Sequence, residues 1–240
     1  MQYLLKIKDL EIPFCIKNYK TSKSIKIYFK RNCLTVTKSP YIPKKEVDKL
    51  LKKYEEKIYQ EYKKMIEQKS KTNERWETGK TILYSGEEYI INKSYHEQNK
   101  LNIKIDKENK MFYIFIPNQI EKEEETVLIQ KGVLKLFKEN TESILKEKLP
   151  IWSKKTNISY NSVKVRDAKT KFGSCISKTK ALHFTSRLVM LKEEAIDAII
   201  VHELCHIVHP NHSKEFYNLI EQYIPNYKEI SKYLKKVVIS

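Results

Sequence analysis

Residues 193–212 read EEAIDAIIVHELCHIVHPNH, a helix written into the sequence together with its end. Glu193 and Glu194 stand where the positive end of a helix dipole favours acids. Ala195 to Val201 form an apolar run that would fix the helix in a core. Pro210 disfavours helical backbone at the residue before it, so the predicted helix spans Glu193 to His209 and stops there. Residues four apart on a helix lie one above the other, so His202 and His206 can turn two imidazoles toward one cation. Glu203 is beside His202, placed to reach a water on that cation without being a ligand itself.

A tetrahedral catalytic zinc takes three protein ligands and keeps one position open. His212, just past the Pro210-Asn211 turn, is the best third candidate. His209 competes, since it shares the helix face, but three ligands along one straight helix span roughly 10 Å, too long for one ion. The H-x3-H-x5-H spacing equals that of the metzincin motif H-E-x-x-H-x-x-G-x-x-H. His209 replaces the motif's glycine, so this chain must turn differently, through Pro210. H-E-x-x-H alone is a short pattern with expected false positives; the third histidine at the required spacing makes it far more specific. The bland alternative is three surface or capping histidines. Cys205 reads as a small core residue rather than a thiolate ligand.

The segments around this helix alternate in period. Upstream of it, Val163 and Val165 suggest a strand, Phe172-Gly173-Ser174-Cys175 a tight turn, and Leu182 to Leu188 another strand. Downstream, Ser213 can cap a helix through Tyr223, Pro225-Asn226 breaks it, and a last helix runs to about Lys236. Near the N-terminus, Ile25, Ile27 and Phe29 alternate with polar residues, and Leu34 and Val36 repeat the pattern after an Arg31-Asn32 turn, which reads as a hairpin. From Lys44 to about Ser70 the apolar residues, Tyr54 and Ile66 included, fall on one stripe of a single amphipathic helix. Residues 76–117 read as two further hairpins, and 121–149 as a helix ended by Pro150. No internal repeat stands out.

The fold class expected is therefore α+β: N-terminal β-hairpins with a long amphipathic helix, then a zincin-like C-terminal lobe with a small sheet and an HExxH active-site helix. Three segments follow: 1–75 with hairpins and helix, 76–150 with a second hairpin and helix segment, and 151–240 as the metal-binding catalytic lobe.

Lys and Arg number 47 against 30 Asp and Glu, a formal charge of +17. Such an excess concentrates polyanions near the surface. Arg occurs only at Arg31, Arg75, Arg166 and Arg187, so a compositional preference for Lys is the bland reading and a nucleic-acid or nucleotide surface the functional one. The four cysteines are scattered with no C-x-x-C pair. No uncharged apolar run has the length of a membrane span, and the first residues do not read as a signal peptide. A cytoplasmic setting without a membrane partner is expected.

Val201 to Phe216, VHELCHIVHPNHSKEF, resembles the signature of the YgjP-like metallopeptidase family, related in motif to SprT-like proteases. Gly173-Ser174-Cys175 resembles that family's W-G-S-C turn, and Arg187-Leu188 its R-L strand end. The resemblance covers residues 20–235. It departs at Lys171-Phe172, where the family has Arg-Trp, and at Thr185-Ser186, where it has Asn-Trp. The resemblance implies one Zn2+ per chain on His202, His206 and His212, Glu203 as general base, and a peptide or protein substrate. Two other readings stay open: a metal-dependent hydrolase of nucleotide phosphoanhydrides, and a nucleic-acid-associated module with a structural zinc. Candidates for a second electrophile are His183, Arg187, Tyr217 and the backbone near Gly173-Ser174. Cys175 is a weak candidate nucleophile.

Overall fold

The computed structural model describes residues 2–30 and 33–237, with the side chains of residue 2 and of residues 68–73 outside the description. The expected Arg31-Asn32 turn lies outside the described residues. The chain divides into two units, Met1–Glu74 and Arg75–Ser240. It is a mixed α+β protein with six described helices and three small mixed sheets.

The first unit begins with strands β1 (Gln2–Ile7), β2 (Leu10–Asn18), β3 (Lys26–Lys30) and β4 (Cys33–Lys38). They form one sheet in the order β1-β2-β4-β3: two antiparallel hairpins joined by a parallel pairing of β2 with β4. Ile12, Phe14, Leu34 and Val36 alternate onto one face and are buried with Val47, Leu51 and Ile58 of the following helices. The single long helix expected here is two, α1 (Lys44–Lys53) and α2 (Glu55–Glu74). The backbone leaves helical geometry at Tyr54 (φ −104°, ψ 15°). Tyr54, expected on the buried stripe, is consequently 43% exposed, while Ile58 returns to the core.

The second unit opens with the same topology. Strands β5 (Thr81–Tyr84), β6 (Glu87–His96), β7 (Asn102–Asp106) and β8 (Met111–Pro117) pair in the order β5-β6-β8-β7, again two hairpins joined by a parallel inner pair. The sequence shows no repeat, yet the sheet topology is repeated. Local alternation reveals a hairpin, whereas the β6–β8 pairing depends on contacts far apart in the chain.

Helix α3 (Lys122–Thr156) runs straight through Pro150, against the expectation that the proline ends it. Residues 125, 129, 133, 137, 141, 145 and 149 are all buried. Steps of four drift about 40° around a helix. The buried row therefore turns from one core, with Ile129, Val133 and Phe137 against β5, β6 and β8, to a second core holding Leu145 and Leu149. Pro150 is exposed, and the turns beside it are anchored by buried Leu149 and by Trp152 Nε1, which donates to Asp197 at 2.7 Å. These contacts offset the roughly 3 kcal/mol an interior proline costs.

The remaining strands are β9 (Ser162–Arg166), β10 (Gly173–Ile176) and β11 (Ala181–Thr185), in the order β10-β11-β9, with β10 at an edge. The tight turn expected at Phe172–Cys175 is largely strand β10, antiparallel to β11 with Gly173 opposite Phe184 and Cys175 opposite Leu182. The strand expected to reach Leu188 ends at Thr185, where a buried 3-10 turn, Ser186–Met190, takes over. Then follow α4 (Glu193–Val208), α5 (Lys214–Tyr223) and α6 (Tyr227–Lys236). Helix α4 runs through the second core, between Leu182 and Phe184 of β11, Leu145 and Leu149 of α3, and Phe216 and Ile220 of α5. Among the described residues no helix is long and apolar enough to cross a membrane.

Candidate metal centre

Burial of the Ala195–Val201 stretch holds α4 rigidly, so its last two turns have fixed directions. The helix ends as the amide of His209 donates to the Cys205 carbonyl at 2.8 Å, and His209 itself is extended. The chain turns through Pro210-Asn211, and Ser213 caps α5 by accepting from the Phe216 amide at 3.4 Å. This turn returns His212 to the side of His202 and His206.

The Nε2 atoms of His202 and His206 are 3.1 Å apart, and those of His202 and His212 are 3.3 Å apart. One ring nitrogen from each of the three lies within 4.8 Å of the others. Phe216, fully buried, touches all three rings: it stacks on His206 at 4.4 Å between centroids and meets His202 and His212 edge-on, each at 4.9 Å.

The outer nitrogens are also held. His206 Nδ1 is 3.2 Å from the His209 carbonyl. A carbonyl only accepts, so Nδ1 carries the proton and the Nε2 lone pair faces the other rings. His209 thus contributes its backbone, and its ring is not among the three that converge. His202 Nδ1 is 2.6 Å from the Tyr227 hydroxyl. Ser177 Oγ donates to the His206 carbonyl at 2.6 Å, fixing the helix end against the turn after β10. Three imidazole nitrogens this close cannot all be paired by hydrogen bonds among themselves. The triad could hold a metal ion, and its chemistry suits a borderline-soft divalent cation.

Glu203 is 4% exposed, and among the described residues its Oε2 has no hydrogen-bond partner. Burial pushes its carboxyl up to about 8, with Lys171 pulling weakly the other way. Burial first, then the neighbouring His206 and His212, pushes His202 down to about 3, and burial lowers His206 as well. These rings are neutral at pH 7, the form that ligates metal. Cys205 is buried with its thiol pushed up to about 12, which suits a core residue.

A cleft of about 450 Å³ opens over this group, walled by β10, the three histidines, Glu203 and Tyr227. Of the candidate second electrophiles, the Gly173-Ser174 stretch lines it. Tyr217 borders His212 with ring centroids 6.1 Å apart. His183 on β11 is instead 3.2 Å from Arg166 Nη2, and Arg187 is buried in an ion pair with Asp167, so neither is brought to the cleft. Cys175 lines the cleft with its thiol raised by burial, which disfavours the nucleophilic thiolate.

Tyr227, Phe216 and Ser177 take part in the site without having been singled out in the sequence. Phe216 carried a local signal, since it follows Ser213 at the spacing of a capped first turn. Tyr227 carried none, being one of 16 tyrosines.

The sequence profile described as YgjP-like, metallopeptidase domain, matches residues 23–237. The chain belongs to the YgjP-like metallopeptidase family. Among solved structures it is similar to the metallopeptidase zymogen of Methanocaldococcus jannaschii jannalysin, with 28% identity over 39% of this chain and 97% of that one and a TM-score of 0.35. It is also similar to the zymogen of Pyrococcus abyssi abylysin, with 22% identity over 38% of this chain and 90% of that one and a TM-score of 0.35. No curated protein matches it significantly.

Proposed function

We propose that the chain is a zinc metallopeptidase in which His202, His206 and His212 hold one Zn2+ and Glu203 is the general base of a zincin-like site. The observation that carries this reading is a buried Glu203 Oε2, unpaired among the described residues, lining the same cleft as three converging imidazole nitrogens. When bound, zinc supplies Lewis acidity, acidifying water at the site and polarising a carbonyl oxygen. Glu203 takes a proton from the attacking water and delivers it to the leaving amine. Its burial beside the histidines in the cleft wall places it for both halves of that exchange. The Gly173-Ser174 backbone in the cleft wall is available to a developing oxyanion.

An extended peptide suits the cleft because its β10 wall is an edge strand, whose unpaired side can accept a further strand. A structural zinc is disfavoured, because such sites are closed by four protein ligands and would leave Glu203 without a purpose. The nucleotide phosphoanhydride reading keeps one observation, Lys171 in the cleft wall. Four free cysteines accord with a reducing, cytoplasmic setting.

The deciding experiment offers the zinc-loaded protein unstructured casein-like peptides and nucleotides in parallel. Peptide cleavage that disappears in Glu203→Gln is the expected result. Release of pyrophosphate without peptide cleavage would overturn the peptidase reading.

A further inference from the structure

We propose that Tyr227, on the last helix, is a positioning residue that holds the His202 ring with Nε2 turned toward the metal. The inference rests on the metallopeptidase reading above. A histidine on a helix can rotate its ring and exchange the roles of its two nitrogens unless the outer one is held. For His206 the holding group is the carbonyl of His209. For His202 the group within reach of Nδ1 is the Tyr227 hydroxyl, at 2.6 Å. The two rings lie nearly parallel, 20° apart in plane with centroids at 6.0 Å, so the phenol also limits tilting of the imidazole.

Tyr227 is itself rigid. It is the first residue of α6, its amide donates to the Ile224 carbonyl at 3.0 Å, and it is 9% exposed within the core that contains Ile224 and Ile230. A buried phenol needs a hydrogen-bond partner, and His202 provides one. A hydroxyl both donates and accepts. It can therefore accept from Nδ1–H when the Nε2 lone pair is directed at a cation, and donate to Nδ1 in the other tautomer. A carbonyl or carboxylate partner could do only the first. The last helix of the chain thereby contributes to a site whose ligands all lie on α4 and the turn after it.

The test is metal affinity of the full chain, stripped and then titrated with Zn2+ or Co2+ against a chromophoric chelator. Tyr227→Phe keeps the ring and removes only the hydroxyl. It should weaken binding by roughly 10- to 100-fold and change the Co2+ d–d spectrum. Tyr233→Phe, altering a half-buried tyrosine on the same helix that packs on the same core but does not line the cleft, should leave both unchanged. Affinity of Tyr227→Phe within twofold of wild type, with the same Co2+ spectrum, would overturn the proposal. Absence of metal binding by the wild type would overturn the metallopeptidase reading instead. Should Tyr227→Phe fail to fold, the His202 Nδ1 proton of the zinc-loaded wild type decides: slow exchange with solvent and a nuclear Overhauser contact to Tyr227 support the role, and free exchange with no such contact ends it.

Discussion

Gly173 on β10 and Glu203 on α4 approach so closely that no side chain fits between them: a Cβ on Gly173 would stand 2.5 Å from Glu203 Oε1 and 2.7 Å from its Cγ. The glycine is needed for this approach, which places the carboxyl against the cleft wall. Gly173→Ala must displace either the strand or the carboxylate. The expected outcome is a protein destabilised by about 1–3 kcal/mol, as for other overpacked sites, with turnover reduced at least tenfold and zinc affinity retained. Denaturant melts and peptide-cleavage rates on one preparation check this; an alanine variant as active as wild type would mean Glu203 has another route to the substrate.

Glu203 and the histidines should separate cleanly by mutation. Removing a general base costs on the order of 10²–10⁴ in rate. Glu203→Gln is expected to lose that much while keeping its metal. It should also be no less stable than wild type at neutral pH, because the buried Oε2 has no hydrogen bond to lose among the described residues. His206→Ala should lose metal and activity together. Measuring bound zinc and turnover for the two variants side by side distinguishes the roles.

The metal-free protein should be most stable in mildly acidic solution. The Glu203 pKa is raised from 4.5 to about 8, so its contribution is full below about 4.5 and lost as pH rises through 8. The His202 pKa is lowered from 6.5 to about 3, so its contribution is full above 6.5 and lost as pH falls toward 3. Between 6.5 and 8 Glu203 acts without His202, and stability rises as the solution is acidified. Below 4.5 the histidines dominate and stability falls. His206, also lowered by burial, adds a second loss as pH falls below 6.5, so thermal midpoints in chelator should peak near pH 6.5, and Glu203→Gln should flatten the alkaline side. An unchanged alkaline slope in that variant would assign the effect elsewhere.

Phe216 supports three rings at once. Phe216→Ala should cost about 3–5 kcal/mol, the usual loss for a buried phenylalanine, and should weaken zinc binding beyond what the neighbouring core change Ile220→Ala does. Chelator competition on both variants tests whether the ring is specific to the metal site or only to the core.

Much of the geometry of the candidate site was legible because its signal is local. His202, Glu203 and His206 are fixed by helical spacing, and Pro210 announces the turn that returns His212. Gly173 was legible as special but ambiguous: the sequence suggested a turn, whereas the structure uses the glycine for close approach within a strand. Tyr227 was invisible because its partner lies 25 residues away and a tyrosine at a helix start has many uses. The hairpins were legible from alternation. Their parallel inner pairings, β2 with β4 and β6 with β8, were not, since nothing local encodes which hairpins meet. Pro150 misled because a proline's local penalty was weighed without the buried row on either side, and Tyr54 because a regular stripe does not reveal a break in the backbone that carries it.

The most direct test of the central claim is the metal content of the purified protein, measured by elemental analysis for wild type and His212→Ala. About one zinc per wild-type chain is expected, held by three histidines, and its loss is expected from His212→Ala, which removes the proposed ligand on the turn after α4. A wild-type chain that neither carries nor binds stoichiometric metal, or a His212→Ala variant that retains it with undiminished affinity, would rule out the three-histidine centre.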